Sequence, residues 1–209
     1  MSGTARRLYM AAALSAIALV FGSRAAPAQI MIIGLDEKPG WDASGKPSPH
    51  EPGHDSLAIV DMSKPDAPRI IATIPLMNTI IGPPTNLAIT PSRNIALVAN
   101  SVAPSGGGTD YKLASDDKVF VIDLDAKPPA VVGTVTAGKK PSGMAIAPNG
   151  KLALVCNRDD NTISVLSING KEVKVTDTLS LGPAAEQVSA VAITPDGKHA
   201  LAVKSMANK

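Results

Sequence analysis

Residues 141–157, PSGMAIAPNGKLALVCN, contain an apolar segment, a Pro-Asn-Gly-Lys turn and a second apolar segment. Apolar runs of this length on both sides of turn residues are typical of a hairpin of two β-strands. Proline suits the start of such a turn, and Gly150 supplies the positive φ that the turn needs near its end. The stretch therefore predicts a hairpin whose turn is centred on residues 148–151.

This hairpin is one copy of three. Residues 86–100 (NLAITPSRNIALVAN), 143–157 (GMAIAPNGKLALVCN) and 190–204 (AVAITPDGKHALAVK) align with a proline at 91, 148 and 195. The copies begin 57 and 47 residues apart, close to the roughly 40–50 residues of a four-stranded propeller blade. In the first copy we expect Asn94 to take the positive φ, because asparagine tolerates it best after glycine.

A second apolar unit recurs at residues 56–61, 118–123 and 162–167, and each copy leads into a further strand. With strands named A to D from the centre outward, the chain supplies B-C-D, two complete A-B-C-D sets and a final A-B. The predicted fold class is all-β: an incomplete β-propeller of four-stranded blades, with about three and a quarter blades present. The blades are expected at about 30–76, 84–136 and 141–180, and a fourth begins at about 187–209.

The segment PSGMAIAPNGKLALVCNRDDNTISVLSI at 141–168 resembles the YVTN-type β-propeller repeat family, which is related to the seven-bladed lactonase-like propellers. Val155-Cys156-Asn157 and Val98-Ala99-Asn100 stand where the family has Val-Thr-Asn. The resemblance covers nearly all of residues 30–206. It implies the fold, but it implies little about activity, because propellers carry many unrelated functions.

The family's propellers have about seven blades, and their first blade commonly takes its innermost strand from the far end of the chain. Thirteen strands would leave this ring open, with unpaired edges and apolar sheet faces in contact with water. We therefore expect the sequence to be the N-terminal part of a longer protein. The alternative is a short form that associates with itself, since stacked repeats can pair their ends between chains.

Residues 1–28 have the layout of a secretory signal peptide. Arg6 and Arg7 precede the 13 apolar and small residues 10–22, and Ala26-Pro27-Ala28 follows as a small-x-small exit. The apolar stretch is too short to favour a membrane span, although an uncleaved anchor is the alternative. We expect cleavage before Gln29, a partial propeller domain at 29–209, a periplasmic or secreted location, and no stable membrane insertion after cleavage.

The charge balance argues against nucleic acid as a partner. The chain has 20 Lys and Arg against 18 Asp and Glu, and the leader removes Arg6, Arg7 and Arg24, so its basic excess disappears on cleavage. Only three aromatic residues remain for stacking on bases.

Cys156 is the single cysteine, which excludes an intrachain disulfide, and its apolar surroundings predict a buried hydrophobe rather than a reactive thiol.

The long loops of the predicted propeller share one face, which we call the long-loop face. It holds the B-to-C loops at 36–55 and 101–117 and the D-to-A linkers at 77–84, 137–140 and 182–187. Binding usually resides in such loops on a rigid scaffold. The candidate ligand-binding residues are Trp41, His50, His54, Asp110, Tyr111, Lys139, Lys140 and Glu186.

No catalytic constellation, metal site or cofactor is predicted among these residues. His50 and His54 have metal-like spacing, but Pro52 and Gly53 between them prevent the helix that would align the two imidazoles. The favoured function is an exported, non-catalytic propeller that binds an unknown protein, peptide or small molecule on its long-loop face. The alternative is a lactonase-like hydrolase with catalytic groups partly in absent blades, so an enzyme stays open.

Overall fold

The structure, a computed structural model, describes residues 29–37, 42–46, 53–79, 85–105 and 112–206. This part of the chain folds into antiparallel β-sheets, and its one helical segment is the single 3₁₀ turn Ala184–Glu186. No helix within the described ranges is long and apolar enough to cross a membrane. The strands are β1 Ile30–Leu35, β2 Ser56–Asp61, β3 Arg69–Pro75, β4 Leu87–Ile89, β5 Ile95–Ser105, β6 Lys112–Asp123, β7 Ala130–Thr136, β8 Pro141–Ile146, β9 Leu152–Asn157, β10 Thr162–Asn169, β11 Glu172–Ser180, β12 Val188–Ile193 and β13 Ala200–Lys204.

The strands form four sheets with the order β1-β2-β3, β4-β5-β6-β7, β8-β9-β10-β11 and β12-β13. We call them the first to the fourth sheet. This is the predicted series B-C-D, A-B-C-D, A-B-C-D, A-B, so the fold class is confirmed. Residues 1–28 lie outside the described ranges, so the division into a leader and a propeller domain stays a prediction.

The sheets are stacked through apolar side chains that alternate along each strand. On β5, Ile95, Leu97 and Ala99 pack toward the third sheet, whereas Ala96 and Val98 pack toward the first. The continuous apolar runs in the sequence follow from this arrangement, because a strand between two neighbouring sheets buries both of its faces. A third cluster joins the third sheet to the fourth through β9 and β12.

Each of the first three sheets has a β-bulge where strand C pairs with strand D. The pairing of strand C with strand D shifts between Ile59 and Val60 in the first sheet, and at the equivalent positions of the second and third sheets. A bulge increases the local twist of a sheet and bends its outer strand. The outer strands of successive sheets therefore share the same bend.

The turn prediction is right for two copies and wrong for one. Gly150 and Gly197 have φ of 70° and 71°, as expected. In the first copy the positive φ of 61° belongs to Arg93, not to Asn94. The reason is that the proline sets the position of the turn, so residue 93 occupies the place of Gly150. Asn94 instead accepts hydrogen bonds from the hydroxyls of Thr90 and Ser92 through its Oδ1.

Cys156 lies in β9 and is fully buried. Burial raises the pKa of its thiol to about 12, which keeps the thiol protonated at neutral pH. The predicted burial of Cys156 is confirmed, and its low reactivity stays a prediction.

Candidate ligand-binding cleft on the long-loop face

One backbone hydrogen bond recurs at the end of each outer strand and places the D-to-A linkers. The amide of Leu76 donates to the carbonyl of Asp55 over 3.1 Å, and Ala137 donates to Asp117 in the same way over 2.7 Å. In the third sheet Leu181 donates to Asn161 over 3.0 Å. Each linker is thus held against the residue that precedes strand C, so linkers and B-to-C loops meet on the long-loop face.

The segment predicted as a loop at residues 101–117 is mostly a β-hairpin, and that prediction is corrected. After an irregularity near Asn100, β5 and β6 continue to pair from Val102 with Ser115 to Ser105 with Lys112. The paired residues 102–105 and 112–115 extend the second sheet beyond its other strands, and we call this extension the arm. The arm contacts the third sheet, because the Ser115 hydroxyl donates to the Asp159 carboxylate.

An open cleft of about 620 Å³ lies between this arm and the third sheet. It contains four carboxylates and two ammonium groups, so its lining carries a net negative charge. We call it the inter-sheet cleft. Its lining residues are Ser115, Asp116, Asp117, Lys118, Lys139, Asp159 and Asp160.

Asp116 is the most enclosed charge of the cleft, with a side chain that is 5% exposed. Its carboxylate accepts hydrogen bonds from Asn100 Nδ2 at 2.6 Å and from Lys118 Nζ at 2.5 Å. Burial acts to raise its pKa, but the hydrogen bonds from Lys118 and Asn100 outweigh burial and hold the pKa below its usual value. The same contact with Asp116 raises the pKa of Lys118. Both groups therefore stay charged across the neutral range.

The opposite wall is built on a strained linker. Lys140 has a φ of 57°, which is unusual for a residue with a side chain, and its amide donates to the Asp116 carbonyl over 2.8 Å. Its ammonium group pairs with Asp159 Oδ1 at 3.2 Å, and the Lys139 amide donates to Asp160 Oδ2 at 2.6 Å. No carboxylate of the described residues pairs with the Lys139 ammonium group. This charge is therefore available in the cleft.

Strained backbone is concentrated on this face. Of the four non-glycine residues with positive φ in the described ranges, Lys140, Asn161 and Gln187 lie in its loops, and Arg93 alone lies elsewhere. Such conformations persist where the surroundings enforce them, and they cluster at binding and catalytic sites. At Asn161 the enforcing contacts are visible, because Oδ1 accepts from the Val188 amide and Nδ2 donates to the Pro183 carbonyl.

Buried asparagines beneath the loops fix their positions. Asn157 ends β9, whereas Asn100 lies within β5 at the irregularity in its pairing, and both are 0% exposed. Asn100 Oδ1 accepts from the Thr79 hydroxyl at 2.9 Å, whereas Asn157 Nδ2 donates to the hydroxyls of Thr162 and Ser164. The asparagine that closes each Val-x-Asn repeat therefore supports the loop face from below.

The structure brings only part of the predicted site together. Lys139 lines the cleft and Lys140 forms its ion pair beside it, whereas Glu186 lies on the next linker and pairs with Lys204 Nζ at 2.6 Å. His54 is exposed and stands directly before Asp55 and β2. The remaining four predicted residues, Trp41, His50, Asp110 and Tyr111, lie outside the described residues.

The sequence did carry a signal for the residues that the prediction missed. Asp116-Asp117 and Asp160-Asn161 occupy equivalent positions just before strand C, and His54-Asp55 occupies the same position in the first sheet. A polar pair repeated at the start of strand C predicts polar groups along one face.

Within the described ranges, no three His, Cys, Asp or Glu side chains are grouped so that they could hold a metal ion.

No protein-family model and no curated protein sequence matches the chain. Solved structures do match, and they show the fold. A functionally unknown protein from Desulfotomaculum acetoxidans superposes with a TM-score of 0.57 at 17% identity, over 82% of this chain and 49% of the other.

A protein from Bacteroides uniformis, assigned provisionally as a 6-phosphogluconolactonase, gives a TM-score of 0.53 at 12% identity, over 84% of this chain and 61% of the other. One from Bacteroides fragilis with the same provisional assignment gives 0.51 at 19% identity, over 87% and 47%. The chain spans 47% to 61% of the length of these three proteins. It shares with them a fold of stacked antiparallel sheets.

Proposed function

We propose that this chain is an exported, non-catalytic propeller module that binds a polar ligand in the inter-sheet cleft. The observation that carries the proposal is the cleft itself, an open space between the arm and the third sheet that is lined by charged groups. Its volume of about 620 Å³ lies within the range of small-molecule sites. A peptide side chain or a small polar molecule would fit the same space.

The lining favours a ligand that is cationic or rich in hydrogen-bond donors. Carboxylates outnumber ammonium groups, and the Lys139 amide already holds the Asp160 carboxylate in place, so Asp160 needs no rearrangement to accept a ligand. Groups held in place before binding lose less conformational entropy when the ligand arrives. The exposed Lys139 ammonium group adds one position for an acceptor on the ligand.

A titration followed by amide chemical shifts tests the site. We expect argininamide, a small cationic probe, to shift the signals of residues 115–118 and 139, and gluconate, an anionic polyol, to leave them unchanged. Asp117→Asn and Asp160→Asn should each weaken argininamide binding about tenfold, equivalent to roughly 1.4 kcal/mol. Asp177→Asn on the outer strand β11 is the matched control, since Asp177 lies away from the cleft. Unchanged cleft signals with both probes would end the proposal.

Lactone hydrolysis is the second candidate, because two of the structures that share the fold are provisionally assigned to that activity. The cleft favours binding over this chemistry. A general base works best with a pKa near the working pH, and the hydrogen bonds from Lys118 and Asn100 move the pKa of Asp116 away from that range, below its usual value. Hydrolysis of glucono-δ-lactone above the buffer rate, lost in Asp116→Asn and kept in Asp177→Asn, would establish the hydrolase instead.

Export is proposed from residues 1–28, with their basic start, short apolar stretch and small-x-small exit. The test is the intact mass of the native protein recovered from the cell envelope. A species that begins at Gln29 supports export with cleavage. A species that keeps the leader and fractionates with the cytosol contradicts it.

A further inference from the structure

The face opposite the long-loop face holds the A-to-B and C-to-D turns, and we call it the turn face. A cavity of about 290 Å³ opens on this face between the second and third sheets. Both of these sheets have all four strands, so the cavity lies at a complete junction between blades. We call it the turn-face pocket. Its lining includes Thr90, Ser92, Asn94, Lys151, Ile168 and Asn169.

Contacts between the two sheets hold the walls of the turn-face pocket in place. The A-to-B turns are stacked, because a methyl group at Gly150 would lie 3.4 Å from Pro91 Cδ. The C-to-D turn of the third sheet is held by Lys171, whose ammonium group pairs with Asp123 Oδ2 at 2.5 Å. The Asp123 side chain is 3% exposed, so this ion pair is anchored inside the second sheet. The pocket is therefore formed before any ligand arrives, which lowers the entropic cost of binding.

Asn94 supplies hydrogen-bond donors to the turn-face pocket. Its Oδ1 accepts hydrogen bonds from the hydroxyls of Thr90 and Ser92. These two contacts orient the carboxamide with its oxygen toward the hydroxyls and its nitrogen away from them. Nδ2 donates to no residue in the part of the chain that the structure describes, so both of its N–H groups are left for a ligand.

Lys151 supplies the charge of the turn-face pocket. Its amide donates to Asn149 Oδ1 at 2.9 Å, which fixes the backbone of the turn from which the side chain extends. Among the described residues, no carboxylate pairs with its ammonium group, and no Asp or Glu lines the pocket. The pocket is thus positively charged, whereas the lining of the inter-sheet cleft is net negative. The two sites share no residue.

We propose that the turn-face pocket binds a small hydroxycarboxylate, independently of the inter-sheet cleft. The ligand's carboxylate accepts hydrogen bonds from Lys151 Nζ and Asn94 Nδ2, and such bonds between ionised partners are about twice as strong as neutral ones. The Asn169 carboxamide both donates and accepts, which suits the ligand's hydroxyl groups, and Ile168 provides an apolar surface for its carbon chain. The volume of about 290 Å³ is at the lower end of small-molecule sites, so the ligand is small.

Titration of the isotope-labelled chain with gluconate, a six-carbon hydroxycarboxylate, tests the proposal at constant ionic strength. Gluconate should shift the amide signals of residues 92–94, 150–151 and 169–170 and leave those of residues 115–118 unchanged. Glucitol, which has the same carbon chain without the carboxylate, should bind at least about tenfold more weakly, because it lacks the charged hydrogen bonds. No shift with gluconate, or equal affinity for glucitol, would overturn the proposal.

Asn94→Asp separates ligand binding from folding. The aspartate keeps an oxygen that accepts from Thr90 and Ser92, but it replaces the two N–H donors with a second carboxylate oxygen beside the ligand's charge. We expect gluconate binding to be lost, while circular dichroism and the thermal unfolding curve stay those of the parent chain. Gluconate affinity that is unchanged in this variant would contradict the assignment.

Lys151→Gln tests the charge, and Lys198→Gln is its matched control. Lys198 occupies the same turn position in the fourth sheet, since it follows Gly197 and its amide donates to Asp196 Oδ1 at 3.0 Å. Lys151→Gln should weaken gluconate binding about tenfold, whereas Lys198→Gln should leave it unchanged. Equal losses in the two variants would show that gluconate is attracted to exposed lysines in general, and the turn-face pocket would not be a binding site.

Discussion

Gly143 lies at a close contact between the innermost strands β8 and β12, and Gly143→Ala tests this contact. A methyl group at position 143 would lie 2.8 Å from the Ala190 Cα and 2.8 Å from Thr85 Oγ1, and closer still to the Ser189 carbonyl oxygen. Two of these three atoms belong to the backbone of β12, so relief requires a strand to move rather than a side chain to rotate.

The expected cost follows from two opposing effects. Overpacking a well-packed interior costs about 1–3 kcal/mol, and main-chain obstacles favour the upper end of that range. Replacing glycine by alanine also restricts the unfolded chain, which returns about 0.4–1 kcal/mol. We therefore expect Gly143→Ala to lower the free energy of unfolding by about 2 kcal/mol.

Gly133→Ala is the matched control, because Gly133 also lies in a strand but its added methyl would meet only Val121 side-chain atoms at 3.7 Å, an ordinary contact. This variant should be neutral or more stable by up to about 1 kcal/mol. Urea unfolding followed by far-ultraviolet circular dichroism measures both. If Gly143→Ala were as stable as Gly133→Ala, the close approach of β8 and β12 would be refuted.

Three further predictions concern the cleft, the cysteine and the core. Asp116→Asn should lower stability at pH 7 by about 1–2 kcal/mol, because it removes a charged hydrogen-bond acceptor whose Lys118 partner is partly screened by water. Because the pKa of Asp116 is lower in the folded than in the unfolded chain, its carboxylate stabilises the fold at a pH above the unfolded pKa. The difference in free energy of unfolding between the parent chain and Asp116→Asn should therefore persist above pH 3.8 and shrink as the pH falls through the lower folded pKa. Urea titrations across that pH range measure it. Cys156 should react with a disulfide reagent at least about 1,000-fold more slowly in the native than in the urea-unfolded chain, since its pKa rises from 9.0 to about 12; comparable rates would contradict its burial. Leu166→Ala in the core between the second and third sheets should cost about 2–5 kcal/mol by urea unfolding, whereas Leu179→Ala, at a 46% exposed position, should change stability by about 0.5 kcal/mol or less; similar losses would contradict the packing.

The strand order was predictable because the same sequence pattern occurs three times along the chain. Each copy places an apolar run, a proline turn and a second apolar run at the same spacing, and local alternation decides which residues can pair. The observed sheets follow that order from β1 to β13. The position of the turn is also set locally. Arg93 shows that the distance from the proline decides which residue takes the positive φ, even though Asn94 would adopt it more easily.

The cleft was not predictable in the same way, because its two walls come from residues far apart in sequence. Ser115 and Asp159 are separated by 44 residues, and their contact exists only after the second and third sheets have packed. The arm that carries Ser115 was predicted as a loop, since its polar residues show little apolar alternation. Its strands pair because β5 and β6 are already joined below it.

The amino-acid sequence by itself determined the all-β fold and the order of the strands, because these depend on periodicity, turn residues and apolar runs that are local to each repeat. Only the tertiary structure decided which charges face one another and which apolar faces stay exposed. Leu201 shows the reason: equivalent leucines are buried at 97 and 154, and nothing in its own repeat distinguishes it from them. Its exposure depends on whether another sheet packs against it, and that is a property of the assembled stack.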